Sequence, residues 1–229
     1  MILETIDFVK KELKNLDSSH DWNHIERVWK LALYIAKNED YKGDLELLQL
    51  AAILHDVKDH KYAAKDGTAD TATPESAITL FLSSLNYPKD SIAKVCLIVQ
   101  QISFKNELGN LNQEFLIESK IVQDADRLDA IGAVGISRCF SFGAVHHAKF
   151  YDELSSYQSY SDRETKEISQ EEYIQKFKSK GSSIDHFYDK LFKLKDMMKT
   201  QTGVKLAEQR NQFMISFIKQ FDSEIELLK

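Results

Sequence analysis

The sequence contains few of the residues that interrupt or crosslink a chain. Only two cysteines, two prolines and eight glycines occur among its 229 residues. Because proline removes a backbone donor and glycine lowers helix propensity, their scarcity favours a mostly helical fold. Cys96 and Cys139 stand singly in apolar surroundings. We therefore expect no disulfide framework, and a reducing cytoplasm is the expected compartment.

Long apolar runs and an excess of basic charge are also absent. No stretch approaches the roughly 20 uncharged apolar residues that a membrane span requires. The first residues, MILETIDFVKKELKNL, have no basic start and predict an amphipathic helix instead of a signal peptide. The net charge of −6 disfavours a general nucleic-acid binder, whose phosphate contacts need surplus lysine and arginine. Neither a membrane nor a nucleic acid is expected as a partner, whereas a small phosphorylated ligand in a locally basic pocket is compatible with this charge.

Apolar residues recur at helical spacing through most of the chain, and no strand-like alternation of useful length is visible. The pattern predicts an all-α fold in a single domain, 1–229. The predicted helices are marked by Ile6 to Leu16, by Ile25 to Ile35 and by Leu45 to Leu54, and the later ones cover 75–85, 89–103, 114–134, 184–199 and 203–227.

Four details of this pattern are specific enough to test. Ser18, Ser19 and Asp21 are the N-cap candidates for the second helix, and Thr73-Pro74-Glu75 predicts the start of another after a loop. The third helix is apolar on most sides and should therefore be central. The polar residues 151–183 are interpreted as a surface insertion or a lid.

Histidines and carboxylates occur at well-separated positions, each on a predicted helix and beside apolar residues. They are His24 in DWNHIERV, the pair His55-Asp56 in AAILHDVKDHKY, and Asp126 in QDADRLDAIG. Two imidazoles and two carboxylates suit a divalent ion such as Mn²⁺, Mg²⁺, Fe²⁺ or Co²⁺, while the cysteine count excludes a thiolate-rich zinc site. Any one of these residues, taken singly, more often has a structural role, such as that of a histidine whose hydrogen bonds are made within its helix. Only the four residues together favour a metal site.

These strings together resemble the HD superfamily of metal-dependent phosphohydrolases, and in particular the branch of small bacterial proteins typified by YpgQ and YedJ. The resemblance extends over about residues 19 to 221 through SHDWNHIERVWKLA, AAILHDVKDHKY, ISFK, VQDADRLDAIGAVGISRCF, HFYDKLFKLKDMMKTQTGVKLAEQR and FMISFIKQF. It implies an all-α fold with an HD core at about 19–135 and C-terminal helices at about 184–227 packing near the active site. It also implies that the metal ligands are His24, His55, Asp56 and Asp126, with Asp124 at most hydrogen-bonded behind them.

The chemistry of such a site follows from the ion. A divalent cation lowers the pKa of a bound water and polarises a phosphoryl oxygen, and cationic side chains should surround the phosphates. Asp59, about one helical turn after Asp56, is the candidate general base for this water. The candidate substrate-binding residues are Arg27, Lys58, Lys105, Arg127 and Lys193.

Structural alternatives exist for these cations. Arg27 and Arg127 could instead pair with acidic neighbours such as Glu26 or Asp129, and surface pairs of this kind are common. The lysines of KLFKLKDMMK are typical of the solvated face of an amphipathic helix. The glycines of DAIGAVG are interpreted as permitting close helix packing, because a phosphate loop would need a preceding strand.

The resemblance implies a nucleotide hydrolase with one divalent ion. Mn²⁺ is the first choice, with Mg²⁺, Co²⁺, Fe²⁺ or Ni²⁺ as alternatives, and the expected reaction converts a (d)NTP into a (d)NMP and pyrophosphate. A nucleoside 5'-monophosphate phosphatase is the main rival, and a cyclic-nucleotide or guanosine tetraphosphate hydrolase is a weaker one. A sensor that binds metal and nucleotide without chemistry is the rival of a different class. A homodimer is compatible with the sequence.

Overall fold

The computed structural model describes residues 1–13, 21–57, 73–102, 114–151 and 181–227. Within these ranges all regular structure is helical and there is no strand, which confirms the predicted all-α class. The elements are α1 (Ile2–Glu12), α2 (Trp22–Asn38), α3 (Leu45–Leu54), α4 (Pro74–Ser84), α5 (Lys89–Ile102), α6 (Ile117–Asp129), α7 (Gly132–Val145), α8 (Ser183–Asp189), a 3₁₀ helix (Leu191–Met197) and α9 (Gln201–Glu226).

The chain divides into two compact units, Met1–Ala125 and Asp126–Lys229, and the boundary between them falls inside α6. The single domain over 1–229, with its core at 19–135 and its C-terminal helices near the active site, stays a prediction. The proposed insertion or lid at 151–183 lies, except at its two ends, outside the described residues.

In the first unit, α3 is the central helix. Seven of its ten residues are buried, and α1, α2 and α5 all pack against it. The run Leu50 to Leu54 is fully buried. Because a helix that is apolar on most sides is favoured in the interior, the burial observed here confirms the predicted central position of this segment.

Side-chain caps determine where three helices of the first unit begin. The Asp21 carboxylate caps α2, Asp44 caps α3, and Thr73 caps α4 with Pro74 in its first turn. Each side-chain oxygen accepts a hydrogen bond from a backbone N–H that has no partner within the helix. The predicted start at Thr73 is confirmed, and of the three candidate caps for α2 the structure selects Asp21.

The second unit corrects two predicted helices. The helix predicted over 114–134 ends at Asp129, and a separate helix begins at Gly132, whose φ of +75° lies in the left-handed region. The helix predicted over 184–199 is wrong as a single element, because Lys190 has non-helical backbone angles (φ −138°, ψ −58°) between α8 and the 3₁₀ helix. Apolar periodicity continues across both breaks, so the pattern did not reveal them.

Two further expectations concern membranes and thiols. In the part of the chain that the structure describes, no single helix is long and apolar enough to cross a membrane; the bent pair α6 and α7 passes that criterion only when both helices are taken together, at an angle of 69°. Cys96 and Cys139 are both free, as expected.

Candidate metal centre

His24 lies in the first turn of α2, where the cap of the helix holds its backbone. The Asp21 carboxylate accepts a hydrogen bond from the backbone N–H of His24 at 3.1 Å. The residue is only 1% exposed. The cap thus sets the residue at which α2 begins, and the position of His24 in the buried face follows from it.

His55 and Asp56 do not lie within a helix. The sequence predicts helical positions for all four ligands, and this is wrong for these two, because α3 ends at Leu54 and His55 is its C-cap. The backbone N–H of Val57 bonds to the carbonyl of Leu54, which closes a turn. His55 itself keeps helical backbone angles (φ −61°, ψ −29°), so the pair continues directly from the end of α3.

The orientation of the His55 ring is determined by its backbone neighbour. Its Nδ1 lies 2.9 Å from the carbonyl oxygen of Ala52. A carbonyl can only accept a hydrogen bond, so Nδ1 carries the proton and, in the neutral ring, Nε2 presents its lone pair. A histidine ligand of a metal is commonly held in this way, with the other ring nitrogen donating to a carbonyl.

Asp56 lies close to both imidazoles. Its Oδ2 is 3.3 Å from Nε2 of His24 and 3.7 Å from Nε2 of His55. The two rings meet edge to face, with centroids 5.3 Å apart. Two donors that each lie about 2.1 Å from one ion, at angles of about 90–120°, are about 3.0–3.6 Å apart. The observed distances therefore suit ligands that share an ion.

Asp126 completes the cluster. Three side chains each offer one ligand atom here, and these atoms lie within 4.8 Å of one another: His24, His55 and Asp126. Asp126 is carried by α6, whose first nine residues belong to the first unit, so a continuous helix brings this carboxylate to the histidines. Two imidazole nitrogens with carboxylate oxygens suit first-row divalent ions, and this donor set fits the expected metal.

A buried hydrogen-bond network holds α6 against the end of α5, and sequence reasoning missed it. The side chain of Gln101 accepts from the Ser119 hydroxyl at 2.6 Å and donates to the Glu114 carbonyl at 3.0 Å. Gln123 in turn donates to the backbone carbonyl of Gln101 at 3.3 Å. The only available signal was that Gln101 and Gln123 interrupt apolar helix faces. The network helps to fix the helix that carries Asp126.

The candidate substrate-binding residues occupy different environments. Arg27 is half-buried, one helical turn after His24. Arg127 is buried, and its Nη1 donates to the Met197 carbonyl at 2.5 Å. Lys193 is half-buried in the 3₁₀ helix. All three assignments stay predictions.

For most of the remaining candidate residues the structure gives no position. The general base Asp59 and the cations Lys58 and Lys105 lie outside the described residues. Asp124 is fully buried on α6. Its burial is compatible with the expected position behind the ligands.

Comparison with known proteins finds a family model and a relative that match this chain. Residues 21–131 match the sequence model of the HD domain family. The protein YpgQ of Bacillus subtilis strain 168 is 38% identical over 220 residues, which cover 95% of this chain and 90% of YpgQ.

Solved structures match over nearly the whole chain. A structure from Lactobacillus plantarum has a TM-score of 0.78 at 31% identity and covers 99% of this chain and 97% of its own. The crystal structure of YpgQ in complex with ADP has a TM-score of 0.70 at 32% identity, with 98% of both chains covered. An HD-superfamily hydrolase from Bacillus thuringiensis has a TM-score of 0.67 at 33% identity, covering 98% of this chain and 96% of that one.

Proposed function

The chain belongs to the HD domain family, a family that includes hydrolases, and from this premise we propose that it is a metal-dependent nucleotide phosphohydrolase. The first-choice reaction is the hydrolysis of a (d)NTP to a (d)NMP and pyrophosphate. The observation that supports it best is the convergence of ligand atoms from His24, His55 and Asp126, with Asp56 Oδ2 beside both imidazoles.

The proposed ligands are His24, His55, Asp56 and Asp126. A divalent ion at this position, with Mn²⁺ as the first choice, would supply a Lewis acid that activates water and neutralises phosphoryl charge. The chain contributes the orientation of the donors: Ala52 holds the His55 ring, and the Asp21 cap holds His24. Asp59 is proposed to accept the proton of the attacking water.

A nucleotide is the proposed substrate because YpgQ, at 38% identity, crystallises with ADP. An anionic phosphate chain needs cationic partners besides the metal. Arg27 stands one turn after His24 on the same helix face, which supports it as a phosphate contact. The number of phosphates that are recognised decides between the pyrophosphohydrolase and a monophosphatase.

The test is a panel of nucleoside mono-, di- and triphosphates assayed with Mn²⁺, Mg²⁺, Co²⁺ or EDTA, with pyrophosphate and orthophosphate measured separately. We compare the wild type with Asp126→Asn and with the control Asp7→Asn, which changes an exposed aspartate of α1 in the same way. Pyrophosphate release from triphosphates that is lost with EDTA and in Asp126→Asn alone is the expected result.

Other products would change the assignment. Orthophosphate released from monophosphates alone would replace the first-choice reaction by the nucleotidase. Turnover that is equal in Asp126→Asn and Asp7→Asn would exclude Asp126 from the site. If no nucleotide is hydrolysed under any condition, the proposed activity is wrong.

Asp59→Asn separates an enzyme from a sensor. In an enzyme this change should abolish turnover and leave the binding of nucleotide and metal nearly unchanged, because asparagine retains the shape of aspartate but cannot take up a proton. Binding is measured by isothermal titration calorimetry with Mn²⁺ present. A protein that binds nucleotide but shows no turnover even as wild type would be a sensor.

A further inference from the structure

The C-terminal end of α6, three residues after Asp126, is held by two arginines from other helices. The last carbonyls of a helix have no partner within it. Arg210 of α9 donates through Nη1 to one of them, the carbonyl of Leu128. Arg138 of α7 pairs with the Asp129 carboxylate at 2.9 Å. We call Arg138 and Arg210 the arginine clamp.

The turn after α6 is shaped to accept the clamp. Gly132 has a φ of +75°, and a Cβ added there would lie 3.0 Å from both Cβ and Cγ of Arg210. The aliphatic stem of Arg210 therefore lies directly on the turn, and a side chain at position 132 would displace it.

The clamp differs from a surface ion pair in its burial. The Asp129 side chain is 2% exposed and that of Arg138 is 15% exposed. Burial lowers the pKa of Arg210, and the nearby charge of Asp129 raises it in part. Charged hydrogen bonds made away from water are strong and directional, whereas exposed pairs contribute little. A cation at the end of a helix is also favoured by the helix dipole.

We infer that Arg210, together with Arg138, is a positioning residue for the ligand Asp126. Leu128 is two residues beyond Asp126, and the carbonyl of Asp126 itself accepts from the N–H of Ala130 in the same turn at 3.2 Å. If the clamp is released, the last turn of α6 keeps the backbone bonds from Ala130 and Ile131 but loses its side-chain anchors, so the turn loosens and the Asp126 carboxylate changes direction. This inference rests on the proposed metal centre, because it concerns one of its ligands.

The test is a Co²⁺ titration of the full chain followed by visible absorption, which reports both the affinity and the ligand geometry. Four proteins are compared: the wild type, Arg210→Met, Arg210→Lys and the control Lys205→Met, an exposed cation of the same helix. We expect Arg210→Met to lower Co²⁺ affinity by up to about 10-fold and to alter the spectrum, a smaller effect than the 10- to 100-fold loss caused by removing a group bonded directly to a ligand. Arg210→Lys should restore affinity in part, and Lys205→Met should match the wild type.

The possible failures are distinguishable. Unchanged Co²⁺ affinity and an unchanged spectrum in Arg210→Met would refute the positioning role of the arginine clamp without affecting the proposed metal centre. A wild type that binds no Co²⁺ would overturn the metal centre and the clamp together. If Arg210→Met does not fold, Arg210→Gln decides, because it keeps the start of the stem over Gly132 and removes the guanidinium: a several-fold loss of affinity supports the inference, and wild-type affinity overturns it.

Discussion

Replacing Gln101 by methionine should cost the protein a large part of its stability. Gln101 is 4% exposed at the end of α5. Its amide donates to the Glu114 carbonyl at 3.0 Å and accepts from the Leu116 N–H at 3.2 Å and the Ser119 hydroxyl at 2.6 Å. Methionine has a similar length and no strong hydrogen-bonding atom, so all three bonds are lost while the packing volume is nearly retained.

The magnitude follows from the groups that lose their partner. A buried polar group without a partner costs about 1–3 kcal/mol, and the lower end applies to the partly buried contacts at Glu114 and Leu116. The buried Ser119 hydroxyl adds a cost of similar size. We therefore expect a loss of about 2–4 kcal/mol in the free energy of unfolding, out of the roughly 5–15 kcal/mol that is typical of a protein domain.

Equilibrium urea unfolding followed by circular dichroism measures this loss. The matched control is Gln100→Met, which makes the same substitution at the exposed neighbouring position; it should change stability by less than about 0.5 kcal/mol. A loss below about 1 kcal/mol in Gln101→Met, or equal losses in the two variants, would refute the argument that this network anchors α6.

Three further predictions concern the metal, pH and a thiol. Mn²⁺ at 100 times its dissociation constant should stabilise the folded wild type by about 2.7 kcal/mol. Differential scanning fluorimetry should therefore show a higher melting temperature for the wild type and no comparable rise for His55→Ala. Burial, and then the charge of Lys190, lowers the pKa of His186 from 6.5 to about 3, so below pH 6.5 the unfolded chain takes up a proton that the folded one does not. Stability should fall as the pH drops from 6.5 towards 3, and His186→Gln should lose less over that window in urea titrations; equal losses would contradict this. Burial raises the pKa of Cys139 to about 12, so a chromogenic disulfide reagent at pH 8 should label Cys139 far more slowly in the native protein than in urea, tested in the Cys96→Ser background.

Sequence reasoning succeeded where the controlling interactions are local. Thr73 caps α4 through the N–H of Ser76, three residues away, and the apolar run of α3 requires burial wherever the helix lies. The residue types that suit a metal site are also recognisable from the chain alone, and the assignment of the four ligands stays a prediction. Caps, periodicity and donor chemistry are all expressed within a few residues.

The breaks in helices and the partners of buried polar groups were not predictable in this way. The end of α6 receives a hydrogen bond from Arg210, which lies 82 residues from Leu128, and the network at Gln101 reaches Ser119 over 18 residues. Gly132 is a local sign of the break after Asp129, whereas the residues around Lys190 include no glycine or proline that would distinguish a break from a continuing helix. Such features depend on which distant side chains offer a hydrogen bond or leave space, and only the packed chain determines this.

The amino-acid sequence by itself thus determined the helical class, the central position of α3 and the identity of the candidate ligands His24, His55, Asp56 and Asp126. The tertiary structure decided their convergence. It ended α3 at Leu54, so that His55 and Asp56 share a turn, and it brought the ligand atoms of His24, His55 and Asp126 within 4.8 Å of one another. The physical reason is the range of the interactions involved. The propensity of a residue to form a helix or to bind a cation is local, whereas the distance between two ligands depends on all the packing contacts between the elements that carry them.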